Sequence, residues 1–290
     1  MDFGSVPPRA GIDFSLGPHR DFRTSGSEPR ETRIYVGCSV WSRPTWVGGV
    51  YPPGTAERDR LFHYARMFNS VELNATFYKV PSAETVERWC SQVPDDFRFF
   101  AKIPKAVSQN LGGPIRQDWA EFLAVSEHFG DRLGGMFLQL PPDFSYADRQ
   151  ALVAFVRRFP PSPHLAVEFR HSSWFENRAP LERMCRWFAE NGISIVITDA
   201  GGRRDVSHGA VTASKMMVRY LGNGLHPSDE ERLDLWAERI RRWVDVGVEE
   251  IYFFMHEEEE RFCPEMVAGL AKRLGGAALR FEPLRGRGLF

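Results

Sequence analysis

Charged side chains inside apolar runs are the residues of this sequence that most need explaining. Glu168 sits in LAVEFR and Arg219 in MMVRYL. An ion in such a run must be paired or neutralised, because an unpaired buried charge costs several kcal/mol. Further polar residues close other apolar runs. They include Cys38, Ser39 and Trp41; Glu72, Asn74, Thr76 and Tyr78; Lys102; and Gln139 before a Pro pair. Later come Arg170, His171 and Trp174; Asp199 with Arg203, Arg204, Asp205 and His208; Asn223 and His226; and His256 with Glu257. Arginines together suit a phosphate or carboxylate, which guanidinium binds bidentately. Carboxylates beside imidazoles suit general acid–base work near neutral pH. Aromatic residues such as Trp41, Tyr78 and Trp174 could stack on a sugar or base.

The elements that must position these residues read as alternating short apolar runs and amphipathic stretches. Eight runs are predicted as buried strands: Ile34–Gly37, Ser70–Leu73, Arg98–Ala101, Gly135–Leu140, Leu165–Phe169, Ser194–Thr198, Lys215–Leu221 and Glu250–Phe254. Helices fit between most of them. Leu233, Trp236, Ile240, Trp243 and Val244 fall on one face, with Ser228 and Glu231 as a capping box; Leu152, Val156 and Phe159 form another face, with Ser145 as N-cap. The stretch DAGGRRDVSHGAVTAS after the sixth strand has no helical pattern, and a long loop of that kind is usually functional. Eight strands in about 250 residues give an α/β fold, a single (β/α)8 TIM barrel with its sixth helix replaced by a loop. In such a barrel the strand C-termini form the active-site mouth. A doubly wound sheet is the alternative, but the turn GCSVWSRPTW holds neither a dinucleotide nor a phosphate-loop pattern.

Composition limits the function classes. The chain has 290 residues, 43% hydrophobic and 26% charged, with a net charge of −1. That excludes a disordered chain and a strongly basic nucleic-acid binder, though not a charged pocket. No apolar run approaches the roughly 18 residues of a membrane span. Cys38, Cys90, Cys185 and Cys263 lie far apart, without zinc-ligand spacing, so reduced cysteines and a cytoplasmic location are expected. Residues 1–32 are rich in Pro, Gly, Ser and Arg and read as a flexible arm, with docking through Phe3, Phe14 and Phe22 as the alternative. Residues 33–274 form the body and 275–290 a tail.

The stretches YVGCSVWS, FNSVELNATFYKVPS, FLQLPPDF, AVEFRHSSWF and WAERIRRW resemble the YecE-like family, domain of unknown function 72. The resemblance covers about Ile34 to Leu274 and implies a TIM barrel, without supplying a reaction. Leu221-Gly222-Asn223 and Met255-His256 depart from the commoner branch of that family, which carries a His-Gly-Pro turn and Asn pairs there. The resemblance supports Asn74, Thr76, Tyr78, Lys102, Glu168, Arg170, Trp174 and Asp199 as a shared site, with Arg204, Asp205, His208, Arg219, Asn223 and His226 added in this branch. The leading expectation is a hydrolase, isomerase or lyase acting on a small anionic molecule such as a sugar or nucleotide derivative. Arg219 and Arg204 would hold the anion, Glu168 would act as acid or base, and His208 or His256 would be its partner, with Asp199 beside them. No cofactor is expected; a divalent metal on Glu168, Asp199 and the histidines is a weaker alternative, since nearby cations compete for the carboxylates. A nucleic-acid processing protein and a non-catalytic binder or scaffold are the other two readings, and the oligomeric state stays open.

Overall fold

The structure, a computed structural model, describes residues 12–23, 31–113, 117–160 and 162–275. Eleven strands are assigned among them: β1 (Arg20–Asp21), β2 (Arg33–Cys38), β3 (Ser70–Leu73), β4 (Arg98–Lys102), β5 (Leu133–Gln139), β6 (Leu165–Glu168), β7 (Ser194–Ile195), β8 (Ile197–Asp199), β9 (Ala210–Val211), β10 (Lys215–Leu221) and β11 (Glu250–His256). All pairings are parallel. The strands form a five-stranded sheet in the order β3-β4-β5-β6-β7, a four-stranded sheet in the order β2-β11-β10-β8, and the small pair β1-β9. The fold is therefore α/β, with parallel strands running continuously apolar as expected of strands covered on both faces.

A closed barrel sheet was expected, and among the described residues no closed sheet forms. One break falls in the sixth expected strand, where Val196 separates β7, paired to β6, from β8, paired to β10. Another falls between β2 and β3, where side chains take the place of a backbone ladder. Asn69 accepts from Val36 N (2.7 Å) and donates to Ile34 O (2.9 Å). The Tyr64 hydroxyl accepts from Cys38 N (2.7 Å) and donates to Ser70 O (2.9 Å). The two backbones nearly touch there, since a Cβ on Gly37 would lie 1.9 Å from Ser70 O.

Residues of both sheets nevertheless share one apolar cluster: Tyr35, Phe100, Phe137, Ala166, Val196, Met217, Tyr252 and Phe254. Successive strand residues point to opposite faces, so positions two apart share one. Stepping two residues onward from six of these reaches Lys102, Gln139, Glu168, Thr198, Arg219 and His256. The other strand faces pack on helices. In the helix Pro227–Asp245, Leu233, Trp236, Ile240 and Trp243 are fully buried as expected, whereas Val244 is 41% exposed. That helix begins one residue after His226, whose ring accepts from Ser228 N; Pro227 occupies the first turn, so His226 caps the helix where Ser228 was expected to. Ser145 caps its 3-10 turn through Asp148.

Residues 12–23 fall within the expected flexible arm, yet they lie against the body. Phe14 is buried, Gly17 N donates to Ser207 O (2.8 Å), and β1 adds to β9. Arg239 donates to Gly17 O, and Arg204 to Phe14 O and Ser15 O. The physical reason is in the long loop: its backbone needs partners, and the arm supplies them. Phe22 packs against the core as well. Residues 1–11, with Phe3 among them, and 24–30 of the expected arm, and 276–290 of the expected tail, lie outside the described residues.

Candidate active site

Seven strand ends deliver a polar cluster on top of the shared apolar layer. Arg219 of β10 lies at its centre. Its Nε and Nη2 donate to the two oxygens of Glu72 (2.9 and 3.0 Å), a bidentate fork. Its Nη1 donates to Glu168 (2.9 and 3.1 Å). Glu168 also accepts from Thr198 Oγ1 (3.2 Å) and Arg170 Nε (3.3 Å). Gln139 Oε1 accepts from Arg170 Nη2 (3.1 Å) and Arg219 Nη1 (3.5 Å). Glu72 takes two further bonds, from Asn74 Nδ2 (2.9 Å) and from His256 Nε2 (3.0 Å). Glu72 and Glu168 are 0% and 1% exposed.

Burial by itself would raise both carboxyls, but the charges and hydrogen bonds around them together outweigh it. With His256, Arg219 holds Glu72 well below the usual carboxylate range; with Arg170 and Lys102 it lowers Glu168. The two carboxylates in turn raise Arg219 against the effect of burial. Both carboxylates are thus ionised at neutral pH. Burial and the neighbouring Arg219 lower His256, against the opposing pull of Glu72, so its ring is neutral there. An ionised carboxylate only accepts, so the proton of that ring sits on Nε2 and the lone pair on Nδ1. The side chains of His256 and Arg170 keep 18% and 14% exposure, so the cluster meets solvent on their side.

Lys102 differs from its neighbours. It is 7% exposed, and among the described residues no carboxylate lies within ion-pair distance of its amine. Its Nζ stands 4.2 Å from the centre of the Phe77 ring and 5.6 Å from that of Phe137. Burial, with repulsion from Arg219, brings its pKa down to about 8. Thr76 is buried with Oγ1 2.7 Å from Lys102 O and 2.9 Å from Leu73 O, which fixes the backbone of β4 to that of β3.

Of the residues picked from the sequence, the structure brings Glu168, Arg219, Arg170, His256, Lys102 and Asn74 together. Glu72 and Gln139, read from the sequence as strand-end polar residues though not as site residues, join them, and the structure adds Thr198; Gln139 and Thr198 each lie two residues beyond a buried inward position. The others lie elsewhere. Tyr78 is 81% exposed on the surface. Trp174 is wholly buried, stacked on Phe169 and donating to Phe144 O. Asp199 follows Thr198 directly and so points to the opposite face, where it accepts from Arg232 Nε (3.1 Å) and Trp236 Nε1 (2.7 Å) and pairs with Arg204. Arg204 is thereby engaged with Asp199 and the arm rather than with the cluster. Asp205 forms a two-pronged pair with Arg203 (2.8 and 2.6 Å). His208 bonds Val196 O, and burial takes its pKa to about 4. The Asn223 backbone donates to Asp229 (2.9 and 3.1 Å), and its side chain to Ser228. Arg219, expected to grip an anion, spends its guanidinium on two carboxylates. Among the described residues no group of three His, Cys, Asp or Glu is placed to hold a metal ion, and Arg219 bonds to both carboxylates that could start one. A cavity of about 360 Å³ near His164, Asn191 and Ile193 lies at the other ends of the strands, with no carboxylate in its lining.

The profile of a family described as protein of unknown function DUF72 matches residues 35–286. The chain belongs to the DUF72 family. Its relatives include UPF0759 protein YecE of Escherichia coli K12, 30% identical over 254 residues, covering 81% of this chain and 90% of that one. UPF0759 protein YunF of Bacillus subtilis is 28% identical over 150 residues, 49% of this chain and 52% of that one. Among solved structures, a DUF72 protein of Enterococcus faecalis superposes with a TM-score of 0.68 at 18% identity, over 84% of this chain and 98% of that one. A DUF72 protein of Thermotoga maritima gives 0.64 at 24%, over 84% and 99%. These likenesses support the shared DUF72 fold and name no reaction. No helix among the described residues is long and apolar enough to cross a membrane.

Proposed function

We propose that this DUF72 protein is an enzyme acting on a small phosphorylated or carboxylated molecule by proton transfer at the C-terminal ends of its parallel strands. The two sheets together serve as a barrel whose mouth is the Arg219 cluster. The observation that carries this reading is the Glu72–His256 pair. An ionised carboxylate orients a neutral imidazole through Nε2 and leaves Nδ1 as a base. His256 is therefore the proton-transfer residue in this reading, and Glu168, saturated by Arg219, Arg170 and Thr198, is a fixed charge rather than the base. Three cations (Lys102, Arg170 and Arg219) face two carboxylates, an excess of positive charge that favours an anionic ligand.

The test is calorimetric titration of the whole chain with a panel of small phosphates and carboxylates, each binder then followed for turnover. Binding that weakens with salt, and turnover reduced about 100-fold or more by His256→Asn, are the expected results. Absence of binding by every anion at low salt, or full turnover in His256→Asn, would refute the reading.

A further inference from the structure

Lys102 carries the one feature of the cluster that proton transfer through His256 does not use. We propose that Lys102 is a nucleophile that forms a Schiff base with the carbonyl group of a small anionic aldehyde, ketone or 2-oxo acid. The proposal names the substrate class of the site described above and rests on that reading.

The geometry separates an anchoring lysine from a reacting one. An anchoring lysine is paired with an acid. Here the amine ends β4 over the Phe77 ring, 7% exposed, without a carboxylate at ion-pair distance among the described residues. Glu72 and Glu168, the acids that could neutralise it, are committed to Arg219. Desolvation and a neighbouring guanidinium both favour the neutral amine, the form with a lone pair to give. Thr76 holds its backbone in place, so the amine is presented from a rigid strand end.

The chemistry balances without any further reagent. The lone pair of Nζ forms a C–N bond as the C=O π bond opens, and a proton passes from nitrogen to oxygen, giving a carbinolamine. An acid then protonates that oxygen, the C–O bond breaks, and water leaves. The iminium left behind carries one positive charge, the same as the ammonium it replaces. Where the adjacent carbon bears a hydrogen, a base such as His256 Nδ1 takes that proton, the C–H electron pair forms a C=C bond, and the C=N π pair returns to nitrogen to give a neutral enamine.

The chain has only five lysines, Lys79, Lys102, Lys105, Lys215 and Lys272, so modification is easily assigned. The full-length protein is incubated with glyoxylate and cyanoborohydride, whose hydride reduces the iminium to a stable secondary amine, and each lysine is followed by peptide mass spectrometry. The expected result is modification of Lys102 at least about tenfold faster than of the other four, with a rate that rises through about pH 8. A Lys102 no faster than the rest overturns the proposal, as does a rate that keeps rising to pH 10 as for an ordinary lysine. Glyoxylate binding by the wild type and by Lys102→Met is measured separately by calorimetry without reductant. Binding by the wild type with no selective adduct sinks the Schiff base alone. Neither binding nor adduct sinks the anion site with it.

Discussion

Replacing Lys102 by methionine should make the protein more stable. A buried charged amine without an acid partner disfavours the folded state, and methionine keeps the stem volume while removing the charge. The amine titrates at about 8 in the fold against a usual 10.5. That displacement, which already includes the favourable pull of Glu72 and Glu168, corresponds to about 3 kcal/mol against folding. The sign follows from proton counting. Below pH 8 both folded and unfolded chains hold the proton and the full disadvantage is present. Between 8 and 10.5 the unfolded chain holds more of it, so wild-type stability from this group rises with pH, by up to about 1.4 kcal/mol per pH unit. Above 10.5 the disadvantage is gone. Urea unfolding of both proteins from pH 7 to 10 should therefore give Lys102→Met an advantage of up to about 3 kcal/mol at pH 7 that shrinks toward zero as the pH climbs. A variant less stable than wild type at pH 7, or an advantage independent of pH, would show that the amine has a partner and that the reasoning is wrong. A stabilised variant that has also lost its chemistry is the usual signature of a site kept for function.

Two other expectations concern buried carboxylates. Arg219→Leu leaves Glu72 and Glu168 without their shared cation and should cost about 3–5 kcal/mol at pH 7. In the wild type the folded carboxyls are lowered, so their contribution is lost only as pH falls; in the variant burial prevails, the carboxyls are raised, and stability should instead improve from pH 7 toward 5 in denaturant titrations. An unchanged pH slope would contradict the triad. Glu257 is raised to about 7 by burial and the nearby Asp229, with Oε1 unpaired and Oε2 accepting from Gly224 N. A raised carboxyl contributes its stability below about 4.5 and loses it as pH rises through 7, so Glu257→Gln should match wild type at pH 5 and exceed it by about 1–3 kcal/mol at pH 8; equal stability at pH 8 would dispose of this.

Much of the cluster was legible as charges inside apolar runs. Glu168 and Arg219 stood out because their surroundings forbid a lone ion, and the structure pairs them. Glu72 did not stand out as a site residue because SVEL is buried on both faces, so alternation gave no inward side. Asp199 was misplaced although alternation speaks against it: Thr198 and Asp199 are consecutive, and only one can join Glu168. Its partners Arg232 and Trp236 come from the helix Pro227–Asp245, and no local pattern announces a pairing across that distance in sequence. Arg204 misled for a related reason. Arginine type suggests anion binding, but side-chain type says nothing about whether a carboxylate of the same chain arrives first. The open seam was equally hidden, since Asn69 and Tyr64 look like ordinary polar and core residues until β2 and β3 are set side by side.

That seam decides the order in which the molecule can be assembled. From β3 to β7 each strand pairs with the one made just before it, so a chain emerging residue by residue can lay down the five-stranded sheet as it grows. The first long strand has no such neighbour. On its β3 side the side chains of Asn69 and Tyr64 bridge β2 in place of a backbone ladder, and its own ladder waits for β11, the last of the described strands. Until Glu250–His256 arrives, β2 and β10 both present bare edges, the form of strand most prone to pair with another chain. That late strand is the keystone of the early one, and a nascent chain halted short of it keeps its stickiest surface open.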